Sequence, residues 1–264
     1  MALSTARRSS APWQPGAPAI GLTWLPAFTR DLAVVLAVVA LYFLVRGAAP
    51  NPLDRSLAVT NWIIACEQTL HIYWEPTVQD WSIRSGALKE FANAVYAYAH
   101  FPVLGLVAIW LWGRDRERFR FVRNVMFVSM LFGIVCYYLF PAVPPRLMAT
   151  HGYDLGFTDT VFGGDTAVSY AQPSFILNEY AAIPSFHFGW IALASAAIWV
   201  NSTHPGARVL AVALTAIMSW AIVATGNHFF FDMALGGLVV AVSWWLVSRP
   251  SLAARPVRAP ASNA

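Results

Sequence analysis

Six apolar runs divide this chain, and their length leaves few folds open to it. They cover about residues 32–45, 91–112, 121–140, 185–200, 208–226 and 229–247. Most approach the roughly 20 residues that an α-helix needs to cross the hydrocarbon core of a bilayer. Lipid cannot satisfy backbone N–H and C=O groups, so runs of this kind cross as helices. No segment shows a strand-like alternation of any strength, and no internal repeat is visible. The expected fold is all-α, a polytopic membrane protein built as a six-transmembrane-helix bundle.

Composition agrees with this. Hydrophobic residues make up 58% of the chain and charged residues only 11%, where a soluble domain carries about a quarter charged. The formal charge of +4 does not point to nucleic acid. The basic residues sit in short loops between apolar runs, and the most basic loop is interleaved with Asp115 and Glu117. Cys66 and Cys136 lie in different segments, which implies neither a disulfide framework nor a thiolate metal site. No His/Cys cluster has zinc-ligand spacing, and neither metal nor cofactor is expected.

Residues 1–28, rich in Pro, Ala and Ser, read as a flexible tail. Residues 29–249 form the membrane domain, and 250–264 form a second flexible tail. The first apolar run resembles a signal sequence, yet its late onset and long charged preface favour an uncleaved span. The segment Asn51–Ser85 is too polar to cross. Its Trp62, Tyr73, Trp74 and Trp81 suit the headgroup region, so one or two interfacial amphipathic helices are expected there, broken near Pro76.

Arginines set the expected orientation. Arg114, Arg116, Arg118, Arg120 and Arg123 crowd the loop between the second and third runs. Arg7, Arg8 and Arg30 precede the first run, Arg208 lies between the fourth and fifth, and Arg249, Arg255 and Arg258 follow the last. Six crossings put all of these on one side, which the positive-inside rule makes cytoplasmic. Both termini then face the cytoplasm of a cell-membrane protein.

Three polar stretches interrupt the oil: Phe140-Pro-Ala-Val-Pro-Pro-Arg146, Ile183-Pro-Ser-Phe-His187, and Asn227-His228 with Asp232 four residues on. Counting crossings places all three at the outer face, beneath a long loop at 142–182 that contains Gly163, Gly164 and Asp165. His228 and Asp232 share a helical face at i, i+4. A carboxylate that accepts one imidazole proton fixes the tautomer and frees the other nitrogen to attack. A polar pair gluing two helices is the plainer alternative. Pro184 and Ser185 precede His187 as a helix start, where Pro is favoured in the first turn and amides attract anions. The Ser185 hydroxyl can add a hydrogen bond, and His187 is placed for general-acid work. Arg146 can bind two phosphate oxygens at once or simply a lipid headgroup. Asn227 either donates a hydrogen bond to phosphate or caps the last helix. His100, with Tyr96 and Tyr98, lies inside the second run and is either a site residue or a packing group. His151 and His204 read as loop residues.

Pro-Pro-Arg, Pro-Ser-x-His and His-x-x-x-Asp, in that order and at helix ends, resemble the type 2 phosphatidic acid phosphatase superfamily. Within it, Phe140–Arg146 and Asn227–Asp232 are similar to the inositolphosphotransferase branch, which includes the inositol phosphorylceramide synthases. The resemblance covers roughly residues 55–245. It implies a phosphohistidine mechanism without a metal. His228 would attack phosphorus, oriented by Asp232; His187 would protonate the leaving oxygen; Arg146 would hold the phosphoryl oxygens. The partners it implies are membrane lipids, a lipid phosphoester donor and an alcohol acceptor.

The chain departs from the phosphatase pattern at two basic positions, which here are Leu139 and Ile222, and it carries Phe186 where Gly is usual. The absence of the later arginine at Ile222 resembles the inositol phosphorylceramide and sphingomyelin synthases, and Phe186 departs again from the hydrolytic type. Hydrolysis at the same site remains open, as does a non-catalytic membrane scaffold or lipid transporter.

Overall fold

The computed structural model describes residues 24–249 except 164–165, 169–172 and 174–175. The expected tails over 1–23 and 250–264, and Gly164 and Asp165 of the covering loop, lie outside the described residues. The chain divides into two compact units, residues 1–37 and 38–264. What is described of the first is helical. Leu25 opens helix α1, Leu25–Gly47, so the last residues assigned to the flexible N-terminal tail already belong to a helix. Within this unit Trp24 packs edge-on against Phe28, and Arg30 pairs with Asp31.

The second unit begins with the end of α1. It continues through α2 (Leu53–Thr69), α3 (Glu75–Ile83), α4 (Gly86–Ala94), α5 (His100–Arg114), α6 (Arg116–Leu139), α7 (Phe186–Asn201), α8 (Pro205–Ala224) and α9 (Phe230–Ser248). The fold is all-α, as the apolar runs require. Among the described residues five helices are long and apolar enough to cross a membrane: α1, the rod from Gly86 to Arg114, α6, α8 and α9. The sixth expected span is α7, and it falls short. Its 16 residues rise only about 24 Å, against a hydrocarbon core of roughly 30 Å. Among the described residues five helices are therefore long and apolar enough, with α7 as a shorter apolar helix, and the sixth crossing is not confirmed.

Helix starts follow local chemistry. Asp115 caps α6 by accepting the amides of Glu117 at 2.9 Å and Arg118 at 3.1 Å. His204, taken as a loop residue, caps α8 through the Gly206 amide at 3.1 Å, with Pro205 behind it. The polar stretch 51–85 forms two helices that break just before Pro76, as expected. Its Trp62, Trp74 and Trp81 are exposed, whereas Glu67 and Glu75 are buried.

Helix α7 is the hub of the unit, packing on α5, α6, α8 and α9. Phe186 stacks on Trp190 with ring centroids 4.7 Å apart, and the Trp190 indole donates to Ser129 of α6 at 3.1 Å. Tyr42, Met130, Leu193 and Val240 close a core around this stack. Tyr96, Ile191, Met218 and Ile222 form another where α7 meets α8. On the outer faces Leu106, Leu131, Val209 and Leu238 remain exposed, the kind of surface that lipid covers.

Two glycines set the geometry near the polar motifs. Gly236 lets α9 touch the start of α7, where a Cβ would lie 2.2 Å from the Ser185 carbonyl oxygen. Gly226 turns the chain between α8 and α9 at φ +65, in the left-handed region where glycine carries no Cβ penalty.

Candidate active site

The three polar motifs meet at one end of the second unit. Arg146, His187, Asn227 and His228 all line a cavity of about 100 Å³. Each is carried there by a different constraint. Past α6, the backbone amide of Arg146 donates to the Gly226 carbonyl at 2.7 Å, which fastens the Pro-rich turn to the α8–α9 turn. The Ser185 amide donates to the Asp232 carbonyl at 3.0 Å, which ties the start of α7 to the first turn of α9.

His228 Nδ1 stands 3.3 Å from Asp232 Oδ2. The same carboxylate oxygen accepts the Phe229 amide at 3.0 Å, so Asp232 cannot swing away without uncapping its own helix. Asp232 is fully buried and His228 nearly so. A carboxylate on Nδ1 leaves Nε2 as the imidazole nitrogen with a free lone pair. The rings of His187 and His228 are 5.9 Å apart between centroids, and the covered Nε2 of His187 has no hydrogen-bond partner.

His187 belongs to a further cluster. Tyr96 stacks on it at 4.4 Å, and the His100 ring lies at 4.3 Å. Tyr96 sits in a π-turn, Val95–Ala99, that interrupts the rod just before His100. Such turns recur at functional sites because the added residue re-aims side chains. Both Tyr96 and His100 line the cavity, while Tyr98 points out at 48% exposure. His100 is therefore a cavity residue.

Arg146 is buried and held on several sides. Its Nε donates to Asn227 Oδ1 at 2.9 Å and its NH1 to Asp159 Oδ2 at 2.7 Å. The Phe162 ring covers the guanidinium, with 4.3 Å to the centroid. Asn227 in turn donates to Thr225 Oγ1 at 2.9 Å. Asn227 thus positions Arg146, a use that neither sequence reading of it, donor or cap, included.

Ser185 and Pro184 are placed differently from expectation. Pro184 precedes the helix instead of opening it, and Ser185 is the cap residue but makes no side-chain cap bond. The Ser185 hydroxyl is buried without a partner, and Ser185 is not among the lining residues.

The long connection after α6 covers the cavity in part. Phe162, Leu177, Asn178 and Glu179 line it. Gln79 of α3 anchors this connection by receiving the Thr158 amide at 2.8 Å and donating to its carbonyl at 3.0 Å. Asn93 does the same for Thr160, accepting its hydroxyl and donating to its carbonyl, both at 2.8 Å.

Sequence reasoning missed several groups. Arg46 and Tyr42 of α1 and Tyr137 of α6 line the cavity. Asp159 had no distinguishing context. Glu67 and Glu75 fall in the segment too polar to cross, yet they are buried at 1% and 0% exposure. They accept the Phe231 and Phe230 amides at 2.7 and 2.8 Å. Among the described residues, no group of three His, Cys, Asp or Glu side chains could hold a metal ion.

An all-helical fold with long apolar helices and a polar cavity of this make-up has a family counterpart. A PAP2 superfamily model matches residues 61–246. The chain belongs to the PAP2 superfamily, whose members are in general phosphatases and phosphotransferases. No curated protein and no solved structure gives a significant match.

Proposed function

We propose that this protein is a membrane phosphotransferase acting on lipid-linked phosphoesters through a phosphohistidine on His228. The observation that carries the reading is the His228–Asp232 pair, at 3.3 Å, whose His228 lines a cavity together with Arg146 and His187.

In the proposed reaction the His228 Nε2 lone pair forms a bond to phosphorus, and the bond from phosphorus to the leaving oxygen breaks. Asp232 takes the hydrogen bond of Nδ1–H and stabilises the positive charge that grows on the ring. His187 gives its proton to the departing alkoxide. An anionic phosphate beside His187 favours the protonated ring needed for this step. Arg146 binds the non-bridging oxygens, where charge stabilisation is the main source of rate. In the second half the acceptor O–H loses its proton to His187 as its oxygen bonds to phosphorus, and the N–P bond breaks.

An alcohol acceptor makes this a transfer, and water makes it hydrolysis. Ile222, where the phosphatase pattern has an arginine, and Phe186, where glycine is usual, support transfer of the inositolphosphotransferase kind. The arginine distribution supports cytoplasmic termini and a site on the outer face of the cell membrane, where donor and acceptor lipids would enter.

The test supplies purified protein in lipid nanodiscs with a labelled lipid phosphoester, with and without polyol or lipid alcohols. A new phosphodiester that requires the acceptor supports the proposal. Free phosphate alone, released whatever the acceptor, replaces transfer by hydrolysis. No turnover of any phosphoester leaves a scaffold or lipid transporter.

A further inference from the structure

Arg146 brings little unbalanced charge to the cavity, because Asp159 holds its guanidinium at 2.7 Å. The second arginine lining the cavity is Arg46, in the last turn of α1. Its NH1 and NH2 donate to the carbonyls of Ile176 at 3.3 Å and Asn178 at 3.2 Å. The Asn178 amide returns to the carbonyls of Arg46 at 3.0 Å and Ala49 at 3.3 Å. Tyr137 flanks the guanidinium, with 5.8 Å to the ring centroid.

Carbonyls orient a guanidinium without cancelling its charge. Arg46 has no carboxylate partner among the described residues. Of the five N–H donors on an arginine head, the two carbonyls take two. What remains is a half-buried cation at the wall of a cavity otherwise lined mainly by rings and amides, whose one lining carboxylate, Glu179, makes no ion pair with Arg46, a setting that favours an oxyanion. The positions where the phosphatase pattern is basic give no substitute, since Ile222 is buried among apolar side chains and Leu139 is exposed. Position 46 also precedes the family region 61–246.

We infer that Arg46 is a substrate-binding residue whose guanidinium, set by Asn178, takes phosphate oxygens of the donor and supplies the positive charge that Asp159 withholds from Arg146. The ligand class is a phosphate ester or another tetrahedral oxyanion. This rests on the reading of the cavity as a phosphoryl site, and it gives helix α1 a part in substrate binding.

The test measures binding of inorganic phosphate and orthovanadate to the full-length protein in nanodiscs, without turnover. Arg46→Gln should weaken both anions about tenfold or more, as expected for losing hydrogen bonds to a charged group, with its melting temperature near that of the wild type. Arg46→Lys should recover most of the affinity. Adding Asp159→Asn to Arg46→Gln should return part of it, by releasing the charge of Arg146. A purely structural Arg46 would not respond to that second change. Wild-type affinity in Arg46→Gln overturns the inference, as does failure of both Arg46→Lys and the double variant to improve on Arg46→Gln. Anion binding that depends on Arg46 in a protein that turns over no phosphoester sinks the enzyme reading alone. Turnover with unchanged anion affinity and KM in Arg46→Gln sinks this inference alone.

Discussion

Glu67 and Glu75 lie together in the interior and accept consecutive amides at the start of α9, Phe231 at 2.7 Å and Phe230 at 2.8 Å. With Asp232 on the Phe229 amide, three carboxylates satisfy three successive N–H groups at one helix terminus, the end of the macrodipole that favours negative charge. The hairpin α2–α3 is thereby fastened to the turn that carries His228.

Two buried carboxylates side by side cannot both ionise cheaply, so the pair holds a proton. Burial raises Glu67 from 4.5 to about 9, with Glu75 and Asp232 adding to the rise and the Phe231 amide opposing it. Burial also raises Glu75. The neighbouring Tyr73 is pushed to about 12, by burial and then by the two glutamates, and stays neutral. The folded protein therefore binds more protons than the unfolded chain between about pH 4.5 and 9, and stability falls as pH rises through that window. Glu67→Gln keeps an acceptor for the Phe231 amide and offers Glu75 a donor. Thermal melts from pH 6 to 9 should show a wild-type decline that this variant flattens, whereas Glu67→Ala should melt lower throughout. A wild-type melting temperature that stays level across the range counts against a shared proton.

The dyad makes a sharper prediction about chemistry. Asp232→Asn removes the charge that balances the imidazolium and presents Nδ1 with an amide that can support the wrong tautomer. In hydrolytic triads the equivalent change costs about 10⁴-fold, and a loss of about 10²–10⁴-fold in phosphoenzyme formation is expected here. Rapid-quench labelling measures it. His228→Ala should give neither phosphoenzyme nor product. His187→Ala should still form phosphoenzyme, slowly, from donors with good leaving groups.

The catalytic candidates were legible because they are polar residues at the ends of apolar runs, where lipid permits them only at a cost. Glu67 and Glu75 were not. They fall in a stretch too polar to cross a membrane, and the amides that justify burying them lie more than 150 positions away. Arg46 was indistinguishable from a topology-setting arginine, because only the folded chain brings the 176–178 carbonyls to it. Hydropathy identified α7 as apolar but not as the hub. A run that faces protein on most sides reads like one that faces lipid, and ten of the sixteen α7 residues are buried. The π-turn at 95–99 leaves no mark in a helical pattern.

The approach of α7 to α9 at Gly236 should be one of the most sensitive apolar positions. An alanine there would put its methyl 2.2 Å from the Ser185 oxygen and force the two helices apart, carrying His187 away from His228. Overpacking of this kind costs about 1–3 kcal/mol, and a shift of about 1 Å in a reacting group can cost about 10²-fold in rate. Gly236→Ala should lower kcat by at least an order of magnitude and lower the melting temperature. Gly105→Ala in α5, where a Cβ would meet nothing within 4 Å, should leave kcat unchanged and raise the melting temperature slightly, since Ala is the better helix former. Equal effects at the two positions would mean that the close helix contact does not set the histidine spacing.

Asn227 separates positioning from contact. Its Oδ1 holds Arg146 Nε at 2.9 Å and its Nδ2 holds Thr225 Oγ1 at 2.9 Å, so it acts on a substrate phosphate through the guanidinium it orients. Asn227→Ala leaves a buried arginine N–H unsatisfied, a penalty of about 1–3 kcal/mol. Arg146 is still paired with Asp159, and the His228–Asp232 pair is untouched. KM for the lipid phosphoester should rise about tenfold, with a smaller fall in kcat and little change in its pH dependence. Asn227→Asp keeps the acceptor for Arg146 and should restore KM toward wild type. It places a negative charge where the phosphate must bind, however, and recovery should therefore be partial, improving as added salt screens that charge. Should Asn227→Ala instead lose kcat at constant KM, Asn227 would touch the transition state directly, not through Arg146.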